Sequence, residues 1–318
     1  MTKIVVLDGY TLNPGDLSWN PLQALGEVEI YDRTDPKHLL ERAAGAAILV
    51  VNKQIIDAEA MSQLPALRFV AVSATGYNNV DIVAAKQHGI QVSNVVGYST
   101  PAVVQQVFAL LLALINKVAE HHQSVQEGKW TKHEDFSYTL YPIPELTELT
   151  MGIYGLGRIG QAVAKAALAF GMRVLAHHKH PERDAMPGVS FVDLEELFAQ
   201  SNIVTLHAPL TAKNEMIVDK QLLSRMPQPS YLINTGRGGL INEQEVLECL
   251  QNGMLTGAGL DVLSQEPPPA DHPLLQAPNC VITPHLAWAT QAARKRLLNE
   301  VVLNVQAYLN GQQRNSVV

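Results

Sequence analysis

Cysteine is scarce in this sequence, which has only Cys249 and Cys280 among 318 residues. The two residues form no paired motif, so the sequence predicts no disulfide framework, and a reducing cytoplasm is the expected location. Both cysteines are expected to pack as small apolar side chains.

Long apolar runs are also missing. The longest, residues 43–51 and 107–115, have nine residues each, whereas a membrane-spanning helix needs about 20. The N-terminus offers four apolar residues, 4–7, before Asp8, which is too short for the core of a signal peptide. We therefore expect no membrane partner.

Basic residues are the minority among the charged side chains. The chain has 23 Lys and Arg against 30 Asp and Glu, a net charge of −7, and contains no basic block. This balance argues against nucleic acid or an anionic membrane surface as a partner. With 47% apolar and 17% charged residues, the composition is typical of a globular protein long enough for two domains.

Short β-branched runs alternate with helical patterns along the whole chain, which predicts parallel sheets built from βαβ units. The first five strand candidates are "KIVVLD", "EVEIYD", "AAILVVN", "LRFVAVS" and "IQVSN". An apolar helix that starts near Thr100 separates them from "LTMGIYG", "MRVLAH", "VSFV", "NIVTLHAP", "SYLINTG", "LTGAGLDV" and "CVITPH". The fold class is therefore α/β, with two Rossmann-like or flavodoxin-like parallel-sheet domains.

A last helix, at 291–309, follows the second series of strands. It has to pack somewhere, and a return to the first unit is the simplest solution. The predicted domains are accordingly 1–98 with 287–318, and 99–286.

The segment "MGIYGLGRIGQAVAKAALAFG" matches G-x-G-x-x-G at Gly155, Gly157 and Gly160, after an apolar strand and before an Ala-rich helix. In this context the first glycine permits a tight turn, the second admits a pyrophosphate and the third allows close helix–strand packing. The helix N-terminus would supply N–H groups to the phosphates. The pattern predicts a dinucleotide site.

Three polar residues follow successive strands of the second series: Arg237, Glu266 and His285. Ligands of open α/β sheets bind at the carboxyl ends of the strands, so these side chains are expected to converge. Arg presents a fork that suits a carboxylate, and His beside an acid can donate a proton near neutral pH. Each residue alone has a structural explanation, but the set beside a dinucleotide turn predicts a catalytic site.

The run "HHKH", 177–180, stands where a protein that binds NAD usually carries an acid that contacts the adenosine ribose. Metal binding is disfavoured, because adjacent strand residues point to opposite faces and no Cys or acid nearby completes a ligand set. Without the acid, Lys179 and a protonated His178 would favour the 2′-phosphate of NADP. The alternative is that the run tolerates either cofactor.

The sequence resembles the D-isomer-specific 2-hydroxyacid dehydrogenases over essentially its whole length. The resemblance rests on "GIYGLGRIG", "HAPLT", "LINTGRGGLINE", "GAGLDVLSQEP" and "TPHLAWAT", in the order and spacing of that family. The stretches "IVVLDGYTLNPGDLSW" and "VVGYSTPAVVQQVFALLLAL" look most like its glycerate dehydrogenase (hydroxypyruvate reductase) branch.

This resemblance implies a split flavodoxin-like substrate domain, a dinucleotide-binding domain, a cleft between them and a homodimer. It implies NAD- or NADP-linked, D-specific conversion between hydroxypyruvate or glyoxylate and D-glycerate or glycolate. Arg237 would bind the carboxylate and keto oxygen, His285 would be the proton donor, and Glu266 would hydrogen-bond His285.

The resemblance also assigns contacts to two groups of residues. Backbone N–H groups around Ala74, Thr75 and Gly76 would bind the substrate carboxylate. Contacts with the cofactor would come from Thr100, Gly155, Gly157, Arg158, Ile159, Gly160, His178, Lys179, His207, Ala208, Pro209, Thr235, Gly236, Asp261 and His285.

Other activities remain open at this stage. Formate dehydrogenase, a relative in the same superfamily, is disfavoured because it carries Gln in place of Glu266. Phosphoglycerate dehydrogenase is an alternative, although its longer members add a regulatory domain and this sequence ends at Val318. A dinucleotide-sensing corepressor or scaffold would keep the same Arg, Glu and His, and only turnover would distinguish it.

Overall fold

The computed structural model describes residues 1–318, which form two parallel β-sheets with flanking helices. The first sheet contains β1 Lys3–Val6, β2 Glu27–Ile30, β3 Ile48–Val51, β4 Phe69–Val72 and β5 Gln91–Ser93. The second contains β6 Thr150–Tyr154, β7 Arg173–His177, β8 Val189–Phe191, β9 Ile203–Leu206, β10 Tyr231–Asn234, β11 Gly257–Leu260 and β12 Cys280–Ile282. All twelve predicted strands are present, and the predicted fold class is confirmed.

Twelve α-helices and five short 3₁₀ helices connect the strands. The α-helices are α1 Gly9–Leu12, α2 Asn20–Gln23, α3 Leu39–Ala43, α4 Ala58–Ser62, α5 Ile82–Gln87, α6 Thr100–Asn116, α7 Val118–Gln126, α8 Arg158–Ala169, α9 Leu194–Gln200, α10 Lys220–Leu223, α11 Glu243–Gln251 and α12 Gln291–Leu309. The 3₁₀ helices are Pro36–His38, Trp130–Lys132, Leu146–Glu148, Gly238–Leu240 and Pro273–Gln276.

The chain divides into two compact units, 1–99 with 289–318, and 100–288. The first boundary between the units lies one residue later than predicted, and the second lies two residues later. In the first unit the strand order is β2-β1-β3-β4-β5, and every pair is parallel. Helix α12 packs on β4, where the ring of Tyr308 stacks on Phe69 with a centroid separation of 4.6 Å.

Helix α5 shows how sequence sets a local boundary in this unit. The side chain of Asp81 accepts a hydrogen bond from the N–H of Ala84, which caps the helix N-terminus. Gly89 follows the helix with a φ of +66°, the left-handed conformation that ends helices and that glycine adopts most easily. Both boundary signals, an Asp before the helix and a Gly after it, can be read in the sequence itself.

The second unit has the strand order β12-β11-β10-β9-β6-β7-β8, again entirely parallel. The chain runs outward from β6 to β8 and then returns to the other side of β6 as β9. The order therefore reverses between β6 and β9, and the carboxyl edge of the sheet at such a point is where α/β proteins bind ligands.

Helix α6 packs against α8 and against β10, β11 and β12 within the second unit. A Cβ on Gly259 would lie 2.9 Å from the Cβ of Leu110, so glycine allows this close approach. Eight residues of the helix are buried, as its apolar sequence predicts. No single helix of the chain is long and apolar enough to cross a membrane. One bent pair, α6 with α7, meets the requirements for a membrane span in length and composition alone.

Candidate active site

His285 and Glu266 form a direct pair at the carboxyl edge of the seven-stranded sheet. Nδ1 of His285 lies 2.6 Å from Oε2 of Glu266, and their side chains are 30% and 35% exposed. The other oxygen of Glu266 accepts the N–H of Leu263 at 3.1 Å, which orients the carboxylate. The predicted contact between these two residues is therefore present, and the ring is held through Nδ1.

The backbone of His285 adopts an unusual conformation, with a φ of +49°. Its N–H donates to the carbonyls of Asp261 (2.8 Å) and Thr283 (2.9 Å). A side chain other than glycine in this region carries strain, which the surrounding hydrogen bonds have to offset.

Asp261 supplies those surrounding bonds. Its buried carboxylate accepts the hydroxyl of Thr283 at 2.5 Å and the N–H groups of Leu286 and Ala287 at 3.0 and 2.8 Å. Burial raises the pKa of this carboxyl group. The resemblance assigned Asp261 to the cofactor, and within the protein its oxygens fix the chain immediately after His285.

Arg237 is exposed and lies on the turn after β10. One guanidinium N–H donates to the carbonyl of Gly236 at 2.8 Å. The turn is closed by Asn234, whose fully buried side chain donates to the carbonyl of Arg237 (2.9 Å) and accepts the N–H of Gly236 (3.0 Å). Sequence reasoning missed Asn234, although an amide at a strand end just before a glycine turn is a usable signal.

The glycine turn has the shape that a pyrophosphate requires. Gly155 has a φ of +97°, and a Cβ there would lie 2.7 Å from the N of Ala208. A Cβ on Gly160 would lie 2.2 Å from the carbonyl oxygen of Gly155, whereas one on Gly157 would meet nothing within 4 Å. The open side at Gly157 faces the N-terminus of α8, where Arg158 and Ile159 form the first turn and N–H groups are available. These residues fit a dinucleotide.

Two further groups of the second unit fit the same ligand. The hydroxyl of Thr235 is buried and has no hydrogen-bond partner within the protein, as expected for a group that binds a ligand hydroxyl. His207 follows β9, and its Nε2 lies 2.9 Å from the hydroxyl of Thr205. Desolvation lowers the pKa of His207 to about 3, so the ring is neutral. Pro209 is exposed beside it, and Thr100 is the first residue of α6.

The run "HHKH" is arranged differently from the sequence-based expectation. Nδ1 of His178 accepts the N–H of Leu156, inside the glycine turn, at 3.0 Å, and its Nε2 lies 2.6 Å from Oδ2 of Asp184. Both ring nitrogens of His178 are therefore engaged within the protein. A protonated His178 that meets a 2′-phosphate stays a prediction, whereas Lys179 is exposed.

Sequence reasoning missed an acid that lies beside this run. A turn after β7 brings Asp184 to His178, and Arg183 binds the same carboxylate, with Nη2 2.6 Å from Oδ2. Hydrogen bonds from Arg183 and then from His178 lower the pKa of Asp184 to about 2. His177 points elsewhere, with Nδ1 3.2 Å from the carbonyl of Val192.

The predicted carboxylate-binding loop lies in the first unit, after β4. The hydroxyl of Thr75 donates to the carbonyl of Val95 at 2.8 Å, and the carbonyls of Ala74 and Thr75 accept from Val95 and Asn94 at 3.0 and 2.7 Å. These bonds fix the loop through its carbonyls and leave the N–H groups of Thr75 and Gly76 without a partner inside the protein.

Comparisons with known proteins agree with this geometry. Residues 108–287 match the family described as D-isomer specific 2-hydroxyacid dehydrogenase, NAD binding domain. A hydroxypyruvate reductase of Blautia hydrogenotrophica is 45% identical over 99% of both chains. A glycerate dehydrogenase of Methylorubrum extorquens is 39% identical over 99% of this chain and 98% of that one.

A solved structure shows the same fold over the whole length. An acyclic imino acid reductase in complex with NADPH and D-Arg is 32% identical, has a TM-score of 0.87 and is matched over 100% of both chains. The fold and the glycine turn define a nicotinamide-nucleotide-binding oxidoreductase. The chain belongs to the D-isomer-specific 2-hydroxyacid dehydrogenase family.

Proposed function

We propose that this protein reduces hydroxypyruvate to D-glycerate, and that it also reduces glyoxylate, as a second substrate, to glycolate. The substrates named for its relatives support this reading. The observation that carries the proposal is the pair of His285 and Glu266, whose atoms Nδ1 and Oε2 lie 2.6 Å apart. A histidine held through one nitrogen by a carboxylate has its other nitrogen available to move a proton.

In this reaction His285 protonates the keto oxygen through Nε2, and it accepts the proton in the reverse direction. The carboxylate of Glu266 stabilises the imidazolium and orients the ring. Arg237 binds the carboxylate of the 2-oxo acid with its planar fork. We also propose that N–H groups of the loop at Ala74, Thr75 and Gly76 bind that carboxylate.

The glycine turn and the N-terminus of α8 would hold the pyrophosphate of a nicotinamide nucleotide, and the buried hydroxyl of Thr235 would meet a polar group of the same ligand. When bound in reduced form, this cofactor supplies the hydride. The neutral ring of His207 adds no charge beside it. Asp261 keeps the segment after His285 in place, as its three hydrogen bonds require.

For the cofactor we propose use of NADPH as well as NADH. Both ring nitrogens of His178 have partners within the protein, so the cations that would meet a 2′-phosphate are Lys179 and Arg183. Asp184 competes for Arg183, because the two form a bidentate pair. An NADPH-bound structural relative is consistent with this proposal.

The proposal on the cofactor is tested by binding rather than by turnover. Lys179→Ala and Arg183→Ala should each weaken adenosine 2′,5′-bisphosphate about tenfold, the typical effect of a hydrogen bond between charged groups, and leave 5′-AMP unchanged. Arg173→Ala, at the other end of β7, is the matched control. An equal loss of affinity for both nucleotides would show that these side chains do not bind the 2′-phosphate.

A homodimer is a further proposal. Large apolar side chains are exposed along the segment 118–143, among them Val118, Trp130, Phe136, Tyr141 and Ile143. Clusters of exposed apolar residues mark interaction surfaces, and a second copy of the chain is the expected partner. Light scattering of the parent and of Phe136→Ser, which should shift the population towards monomer, tests this point.

The activity is tested with purified protein, NADH or NADPH, and a panel of 2-oxo acids ranked by kcat/KM. Hydroxypyruvate should lead, and the product should be the D isomer by chiral chromatography. Nucleotide binding without turnover of any 2-oxo acid would instead favour the sensing role considered above.

A further inference from the structure

The peptide bond between Leu263 and Ser264 lies between the pair of Glu266 and His285 on one side and the Arg237 turn on the other. The N–H of Leu263 binds Glu266, which in turn contacts His285. On the other side, a Cβ on Gly238 would lie 1.9 Å from the carbonyl carbon of Leu263 and 2.3 Å from the N of Ser264. Because Gly238 directly follows Arg237, a shift of this peptide would displace both the Arg237 turn and Glu266.

Glu243 holds this peptide in place. Its Oε1 accepts the N–H of Ser264 at 2.7 Å, and its Oε2 accepts the hydroxyl of Ser264 at 2.6 Å. Glu243 is the first residue of α11, where the helix dipole favours a carboxylate, and its side chain is only 15% exposed. Hydrogen bonds to a charged acceptor with little solvent access are among the stronger ones in proteins.

His272 connects Glu243 to the far end of the loop 264–272, which carries Glu266. Its Nε2 lies 3.3 Å from Oε2 of Glu243, and its Nδ1 is buried without a partner. A proton on Nδ1 would be a buried unsatisfied donor, so the proton belongs on Nε2, which donates to Glu243. The carboxylate thus binds both Ser264 and His272, the two residues that flank the loop carrying Glu266.

We infer that Glu243 is a positioning residue of the reaction. Through Ser264 it sets where the carboxylate of Glu266 meets His285 and where the Arg237 turn begins. This inference rests on the proposed function, because it takes the pair of Glu266 and His285 as the proton-moving group. Glu243 itself touches neither His285 nor Arg237 directly.

The decisive variants are Glu243→Ala and Ser264→Ala. In Glu243→Ala the loop loses both bonds from Ser264 and the contact with His272. The kcat for keto-acid reduction should then fall about 10- to 100-fold, as small misplacements of catalytic groups commonly cause. The pH at which the rate declines on the alkaline side should move lower, because a displaced carboxylate stabilises the imidazolium of His285 less. Ser264→Ala loses only the hydroxyl bond, keeps the bond from its own N–H and the contact with His272, and should show a smaller change in the same direction.

The pH profile separates positioning from mere stability. Glu266→Gln removes the same stabilising charge outright, so Glu243→Ala combined with Glu266→Gln should show no further shift beyond that of Glu266→Gln alone. Glu243→Gln keeps an oxygen for the N–H of Ser264 and should restore part of kcat. The Kd for NADH, measured by fluorescence, should stay at the parent value in all these variants.

Glu248→Ala is the matched control. Glu248 lies on the same helix and pairs with Lys220 at 3.1 Å, and its side chain is 42% exposed. It makes no contact with the Glu266 loop, so its kcat and pH profile should equal those of the parent.

The outcomes distinguish this inference from the function on which it rests. A shifted profile in Glu266→Gln with parent-like profiles in Glu243→Ala and Ser264→Ala would overturn the positioning role and leave the proposed function intact. An unshifted profile in Glu266→Gln would overturn both. If Glu243→Ala does not fold, Ser264→Ala and Glu243→Gln decide the question by the same criteria.

Discussion

The carboxylate of Asp261 accepts the backbone N–H of Ala287 at 2.8 Å, two residues after His285. The same carboxylate accepts Leu286 and the hydroxyl of Thr283, so it fixes the chain on both sides of a histidine that has a φ of +49°. The backbone conformation of His285, the proposed proton donor, thus depends on the buried carboxylate of Asp261.

Replacement of Asp261 by Asn should destabilise the fold and impair catalysis together. An amide has one acceptor oxygen for three donors, and the loss of buried hydrogen bonds to a charged group costs about 2 kcal/mol. Urea unfolding should show this decrease in the free energy of unfolding, and kcat should fall because His285 is less well held. A parent-like free energy of unfolding would show that the segment after His285 does not need the charge.

His285→Ala should lower kcat by about 10²–10⁴, the range typical of lost general acid catalysis. The Kd for the reduced cofactor should hardly change, because the glycine turn and Thr235 are untouched. His177→Asn, at a histidine to which the proposal gives no role, is the control and should retain far more activity. Near-normal kcat in His285→Ala would contradict the assignment of the proton donor.

Arg237→Lys keeps the positive charge but loses the planar fork, so it should raise KM for the 2-oxo acid and lower kcat. The exposed Arg225, which pairs with Glu195 on the same unit, provides the matched control as Arg225→Lys. A change in thermal stability without a change in either kinetic constant would make Arg237 a structural residue instead.

The stability of the protein should depend on pH through His207. Burial lowers the pKa of its ring from the ordinary 6.5 to about 3, so between these values the unfolded chain binds the proton and the folded chain does not. Stability therefore falls as the pH is lowered through this window. His207→Asn lacks this effect, and its Tm should decline less than that of the parent between pH 6.5 and pH 5. Parallel declines would show that the ring is protonated in the folded protein.

Much of the fold could be read from the sequence because its signals are local. Each strand is a short β-branched run, and the cap at Asp81 with Gly89 marks a helix within a few residues. The glycine turn is equally local: a Cβ on Gly155 or Gly160 would clash with the backbone, whereas one on Gly157 would meet nothing within 4 Å and the space there is open to a ligand. Arg237, Glu266 and His285 could be selected because a parallel sheet brings the carboxyl ends of its strands to one edge.

The contacts that the sequence did not predict join residues whose partners are set by tertiary packing. Asp184 reaches His178 only because the turn after β7 folds back, and that contact occupies a ring nitrogen that the sequence alone left available for a 2′-phosphate. Glu243 meets Ser264 across 21 residues of chain, and Asp261 meets Ala287 across 26. Periodicity and motif spacing determined the elements and the family of this protein. The hydrogen-bond partners and the orientation of its polar groups followed from their tertiary neighbours, because hydrogen bonds depend on distances that no local pattern encodes.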